Sequence, residues 1–163
     1  MLRLTNQLLP VLLTLMASAS ILVSLATGVS QAADTPQVIV HKTPTCGCCT
    51  KWVDHLRAQG LSVEVVTVNS TRAIQADAGV PRELGSCHTA VVGEYFVEGH
   101  VPADLVQKLI NEQPEGIRGI AVPGMPAGSP GMESPRPVAY DIIAVATDGQ
   151  LLRYATRMGK SAE

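Results

Sequence analysis

The 163-residue chain is poor in aromatics, with one Phe, one Trp and three Tyr making up 3% of it. It also lacks a basic excess, since 12 Lys and Arg face 14 Asp and Glu. A nucleic-acid face needs clustered positive charge with aromatic platforms, so both shortages argue against that class. The chain contains no Gly-rich phosphate loop, no Ser/His/Asp motif and no H-E-x-x-H. The usual signatures of nucleotide binding, serine nucleophiles and zinc proteases are thereby missing. Asp54, Glu94 and Glu98 make no carboxylate constellation, and no internal repeat is present. No acidic residue occurs before Asp34.

That acid-free start carries a single positive residue, Arg3, and a long apolar run from Leu8 to Leu25. Small residues follow, and Ser30-Gln31-Ala32 suits a small-x-small cleavage site. The pattern predicts a secretory signal peptide over residues 1–33. The alternative is a retained membrane anchor, because the run is long enough to span when tilted. Thr14, Ser18, Ser20 and Ser24 dilute it, however. Cleavage leaves residues 34–163, about 130 residues, which suits one compact domain with no membrane attachment. With Arg3 gone, 11 basic residues face 14 acidic ones. Export predicts a periplasmic location, where thiols pair unless a metal or a reductase intervenes.

"PQVIVHKT" (36–43) is apolar and β-branched, and reads as a strand. "CCTKWVDHLRAQG" (48–60) reads as a helix, because Cys49, Trp52, Val53 and Leu56 recur at i, i+3, i+4 and i+7. "LSVEVVTVN" (61–69) alternates as a second strand, and "TRAIQADAG" (71–79) reads as a short helix. "TAVVGEYFVEGHV" (89–101) is two strands turning at Gly93-Glu94. "PADLVQKLINEQ" (102–113) is an amphipathic helix with Pro102 in its first turn. Residues 116–137 hold five prolines and five glycines, which argues against regular structure. The apolar "IRGIAV" and two methionines predict an ordered loop packed on the domain rather than a linker. "VAYDIIAVATDGQLLRYAT" (138–156) is an extra C-terminal hairpin turning at Asp148-Gly149, and residues 158–163 are expected to fray. Strand-helix-strand, helix, hairpin, helix is the order of an α/β, thioredoxin-like domain, whose first helix starts with its reactive cysteines.

Three of four cysteines lie in "TPTCGCCTKW" (43–52), as Cys46, Cys48 and Cys49. Cys46 and Cys49 form a C-x-x-C pair on one helix face. A helix N-terminus stabilises thiolates, which both disulfide exchange and metal ligation use. Cys48 sits about 100° around the helix from Cys49. A dithiol redox site has no use for it, whereas a multinuclear thiolate site does. Cys87, in "GSCHTAVV" (85–92), occupies the loop before the hairpin, where thioredoxin-like oxidoreductases carry a proline. The expected fold brings that loop to the cysteine helix, so four thiols converge with His88 adjacent. The plainer readings are that Cys87 is a small buried hydrophobe and His88 an ordinary hydrogen-bonded loop residue.

Soft thiolates select Cu(I), zinc or iron–sulfur clusters. The vicinal Cys48-Cys49 pair is awkward around a single tetrahedral zinc, while thiolates bridging two Cu(I) ions tolerate such crowding. Met125 and Met132 in "PGMPAGSPGM" add thioethers, which suit Cu(I) better than zinc. Alternatively they pack the loop down. His88, Met125 and Met132 are thus additional candidate ligands. His41 reads as a strand residue, His55 as solvated and His100 as a capping or surface residue.

"TPTCGCC", "SCHTAVV", "EGHVPA" and "GIAVPGMPAGSPGME" together resemble the CopG-type periplasmic copper-binding family, long catalogued as a domain of unknown function. The resemblance spans nearly all of residues 34–163. It implies a thioredoxin-like domain holding copper through cysteines that map onto Cys46, Cys48, Cys49 and Cys87, a cysteine-bridged Cu(I) cluster being one form. It further implies copper resistance, by electron transfer or copper redox conversion, alongside other periplasmic copper-handling proteins. Whether the chain is an enzyme stays open. The rivals at this point are a thiol–disulfide oxidoreductase using Cys46 and Cys49, and a structural zinc site or plain disulfide-stapled binding module.

Overall fold

A computed structural model describes residues 37–162. The expected signal peptide, residues 1–33, lies outside the described residues. Among the described residues no helix is long and apolar enough to cross a membrane.

The elements follow as β1 (Val38–Lys42), α1 (Gly47–Ala58), β2 (Val63–Thr67), α2 (Arg72–Ala78), a 3-10 turn (Arg82–Leu84), β3 (His88–Val92), β4 (Tyr95–Glu98), α3 (Ala103–Glu112), β5 (Ile117–Ala121), β6 (Ala139–Ala146) and β7 (Leu151–Met158). All seven strands form one sheet in the order β2-β1-β3-β4-β5-β6-β7. β1 pairs in parallel with β2, and β4 with β5, and the other neighbours are antiparallel. Each parallel pair is joined through a helix, α1 or α3, as a crossover requires.

The apolar spacing read from α1 is the face it buries: Cys49, Trp52, Val53 and Leu56 are all buried. Trp52, Val53 and Leu56 join Val38 and Val40 of β1, Val97 of β4, Val106 and Leu109 of α3, Ile120 of β5 and Ile142 of β6 in the main core. A smaller cluster contains Val80, Leu84, Phe96, Ala121 and Val145, with Ala78 of α2 against it. Phe96 precedes Val97, and Ala121 follows Ile120, so the two clusters lie on opposite faces of the sheet. α1 and α3 therefore cover one face and α2 the other. Burying side chains as large as Trp52 and Leu56 contributes roughly 1.5–3 kcal/mol each, which holds α1 in one position on the sheet.

Two expectations are corrected. Residues 116–137 are not free of regular structure, because Ile117–Ala121 forms β5 beside β4. All five prolines lie from Pro123 onward, so nothing forbids a strand before them. Gly119 serves this pairing, since a Cβ there would collide with the Phe96 ring on β4. The remainder, 122–138, is an ordered loop as expected. The second correction concerns the tail from Met158. Met158 ends β7, and the N–H groups of Gly159, Lys160 and Ala162 donate to the carbonyls of Val138, Gly128 and Ser134 at 2.9, 2.7 and 3.2 Å. The tail is tied to the 122–138 loop, a partner that only the folded chain provides.

Candidate metal centre

Cys46 is the N-cap of α1, with Cys48 and Cys49 in the first turn. Its sulfur accepts the Cys49 N–H at 3.3 Å, in the role a Ser or Asp oxygen has at an ordinary helix start. In this structure Cys46 and Cys49 are joined by a disulfide, while Cys48 and Cys87 are free.

Cys87 arrives through the sheet register. β3 runs antiparallel to β1, with His88 paired to Lys42. The residue before β3 therefore lies at the end of β1, where the chain turns into α1. The Cys87 sulfur is 3.2 Å from that of Cys46 and 3.3 Å from that of Cys49. The Cys48 sulfur is 3.6 Å from that of Cys46. All four sulfurs lie within 4.8 Å of one another. Burial raises the Cys87 thiol above its ordinary pKa, and the adjacent Cys48 adds to this. Cys87 is thus a neutral thiol until an ion displaces its proton.

The segment 98–103, "EGHVPA", contains no sulfur and yet bonds to the Cys87 loop, to β3, to α1 and to the 122–138 loop. Glu98 is fully buried, and its Oε1 accepts from the Ser86 N–H and, at 2.8 Å, from the Gln75 amide. The Gln75 amide and the Thr71 hydroxyl also donate to the Ser86 carbonyl, at 2.9 and 3.3 Å. Ser86 is clamped on both sides, which fixes Cys87 beside it. His88 Nε2 donates to the Gly99 carbonyl at 2.9 Å, and the Trp52 indole N–H donates to the Val101 carbonyl at 2.8 Å. The Ala103 N–H donates to His55 Nε2 at 3.1 Å, satisfying an orphan donor at the start of α3.

His100 is neither a cap nor a surface residue. It is fully buried, and its Nδ1 donates to the Pro130 carbonyl at 2.8 Å. His55 is likewise half-buried rather than solvated, and its acceptor role needs the neutral ring; burial lowers its pKa accordingly. His41 is the strand residue expected, paired with Val66 and Thr89.

His88 points away from the sulfurs. It is fully buried, stacked on Trp52 with ring centroids 4.4 Å apart, and meets the edge of His100 at 5.1 Å. Burial, the largest cause, pushes its pKa down to about 3, with His100 acting in the same direction. Its imidazole is not among the groups gathered within 4.8 Å. A strand residue adjacent to Cys87 must face the opposite side of the sheet edge, because side chains alternate.

The 122–138 loop lies against the outer side of α1. Gly131, at φ +83°, runs so close that a Cβ would stand 2.8 Å from the Cys48 carbonyl oxygen and 2.9 Å from the Trp52 nitrogen. Only glycine combines that φ with that approach. The loop braces itself: the Met132 N–H donates to the Ser129 carbonyl and the Gly128 N–H to the Met132 carbonyl, both at 2.7 Å. The Gly131 N–H donates to Glu133 Oε1 at 2.7 Å. Met125 and Met132 consequently line a surface cavity of about 400 Å3 together with Cys48, Lys51 and Glu133.

Two solved structures, both described as copper resistance protein CopG (forms 1 and 2), are similar to this chain. Form 1 is 42% identical and covers 76% of this chain and 99% of its own, form 2 is 41% identical and covers 75% and 98%, and both give TM-scores of 0.70. This chain belongs to the CopG family. A family profile described as "Protein of unknown function, DUF411" matches residues 84–132, from the Cys87 loop through Met132. A comparison with curated proteins found no match. The mixed α/β architecture, seven strands and three helices among the described residues, is similar to that of the two CopG structures.

As a donor set, the four sulfurs of this CopG-family chain fit a soft metal ion. Disulfide chemistry allows two forms at this site, of which the structure shows the oxidised one. The oxidised form holds the Cys46–Cys49 disulfide and two free thiols. Two electrons and two protons convert it to four thiols, and only that reduced form offers four thiolates to metal. The Glu98 and His100 fasteners were not legible as such. The signal for both was a sulfur-free motif placed directly after a hairpin strand.

Proposed function

We propose that this is a periplasmic copper-handling protein whose reduced form holds Cu(I) on Cys46, Cys48, Cys49 and Cys87. The convergence of the four sulfurs within 4.8 Å carries this reading. Two neighbouring Cys side chains crowd a single tetrahedral ion, whereas bridging thiolates serve several Cu(I) ions, so the cluster is multinuclear. The role in copper resistance is supported by the two CopG structures, whose names state it. Redox change of the bound copper is part of the proposal. The core is read as thioredoxin-like: strands β2-β1-β3-β4 in that order, with cysteines at the first helix N-terminus, support it. Strands β5 to β7 then extend that core. The periplasmic location rests on residues 1–33 acting as a signal peptide. The mass of the protein isolated from the periplasm checks it, and an intact N-terminus would overturn it.

Anaerobic titration of the reduced protein with Cu(I) tests the cluster. The expected result is more than one tightly held Cu(I) per chain, with a loss in Cys87→Ser. Unchanged binding in that variant refutes a site shared by all four sulfurs. Metal analysis of the isolated protein opposes the zinc alternative, since zinc without copper would replace this reading.

The disulfide favours a second reading. Cys87 lies 3.2 and 3.3 Å from the two bonded sulfurs, near enough for exchange. Thiol–disulfide oxidoreductase activity of the metal-free protein on insulin would establish it. Its raised thiol pKa makes Cys87 a poor nucleophile, which ranks this reading second.

A further inference from the structure

We propose that Cys48, Met125 and Met132 form an entry site that captures a single Cu(I) ion at the surface before it reaches the four-sulfur centre. This rests on the copper reading above, and it assigns a separate task to two methionines outside the four-sulfur centre, with Cys48 shared between the two sites. Three observations carry it.

The first is placement. Cys48, Met125 and Met132 line one surface cavity of about 400 Å3. Met125 is 59% exposed and Met132 is half-buried, so both thioethers can be reached from solvent. A thiolate and two thioethers are a donor set that suits Cu(I) and discriminates against hard cations and zinc.

The second is rigidity. Gly131 approaches the Cys48 carbonyl on α1, the His100 bond to Pro130 ties the loop to the segment before α3, and the Gly131 bond to Glu133 braces it internally. Entry sites benefit from such preorganisation, since no loop ordering is charged against binding.

The third is independence from the disulfide. Cys46 and Cys49 are bonded to each other in this structure, and Cys48 remains a free thiol. The entry site is therefore complete in the oxidised form, when the four-sulfur centre is not. Ion binding there releases one proton from the Cys48 thiol and changes no oxidation state. The Cys48 sulfur is also 3.6 Å from that of Cys46, so reduction of the disulfide opens a direct path inward.

The test uses the protein as isolated, with its disulfide intact and its methionines labelled with 13C in the methyl group. Ag(I) serves as a redox-inert substitute for Cu(I). The first equivalent is expected to shift the Met125 and Met132 methyl signals and leave exposed Met158 unmoved, with the same shifts in Cys87→Ser. The double variant Met125→Leu, Met132→Leu should lose that first equivalent. After reduction it should still fill the four-sulfur centre with Cu(I), but more slowly. Three outcomes overturn the proposal: no methyl shift, equal shifts at Met158, or loss of the shifts in Cys87→Ser, which would put the ion between Cys48 and Cys87. Failure of the copper reading looks different, because the reduced wild-type protein would then take up no Cu(I) at all.

Discussion

Two loops reach the start of α1 with sulfur, and both are fastened to the same short segment by residues two positions apart. The Cys87 loop is held by Glu98, a buried carboxylate gripping Ser86. The Met loop is held by His100, a buried neutral imidazole gripping Pro130, and by the bare backbone of Gly131. The carboxylate fastener is strong but costs desolvation, and burial raises the Glu98 pKa above its ordinary value. The imidazole fastener contributes less and costs less. The Cys87 sulfur is thus tied through a buried carboxylate, and the methionine sulfurs through one neutral hydrogen bond and close backbone fit.

Removing the stronger fastener should have the largest effect. Glu98→Ala orphans the Ser86 N–H and leaves a cavity, and is expected to cost about 3 kcal/mol in urea unfolding. Glu98→Gln retains the acceptor without the buried charge and should stay within about 1 kcal/mol of wild type. Equal losses in both variants would mean that the charge, rather than the acceptor, fixes Cys87.

Gly131→Ala attacks the other loop through shape. A left-handed φ costs a non-glycine residue about 1–2 kcal/mol before any clash with the Cys48 carbonyl. We expect a loss of about 2 kcal/mol, with Cu(I) capacity of the reduced four-sulfur centre retained. Loss of that capacity would merge the two loops into one unit.

Acid should separate the two fasteners. His88 and His100 are held neutral by burial, so below the ordinary imidazole pKa of 6.5 the unfolded chain binds more protons and stability falls. With the His88 pKa at about 3, the loss by pH 5 is about 2 kcal/mol at 1.36 kcal/mol per unit. Glu98 acts in the opposite sense. Its raised pKa lets the folded chain take a proton first, so stability returns as pH falls toward 4.5. Denaturation midpoints of the metal-free protein from pH 8 to 5 check this, and Glu98→Gln should fall more steeply. A flat profile in both would mean that the histidines are not held neutral.

The smallest effect is expected of His100→Phe, which keeps the volume and removes one bond to Pro130. About 1 kcal/mol should be lost, with faster hydrogen exchange at Gly131 and none at Ser86. Faster exchange at both sites would erase the distinction between the loops.

Much of the fold was legible because it is local. The i, i+3, i+4, i+7 spacing of Cys49, Trp52, Val53 and Leu56 is the buried face of α1. The turns at Gly93-Glu94 and Asp148-Gly149 mark the two hairpins observed. β5 is hidden because "IRGIA" leads into a segment with five prolines between 123 and 137, and its partner β4 lies across the intervening helix α3. His55 and His100 were misjudged for the same reason: a histidine's neighbours along the chain say nothing of the Ala103 N–H or the Pro130 carbonyl that it meets.

By itself, the sequence determined that Cys46 and Cys49 share a helix face at a helix start, with Cys48 turned aside. Helical geometry over four residues needs no other information. Only the tertiary structure decided that Cys87 stands within 3.3 Å of both, and that Cys48 also looks outward at two methionines. Those relations depend on antiparallel register between β3 and β1 and on Gly131 pressing against α1. Both are long-range contacts, selected by the burial of the whole core and by no residue's near neighbours.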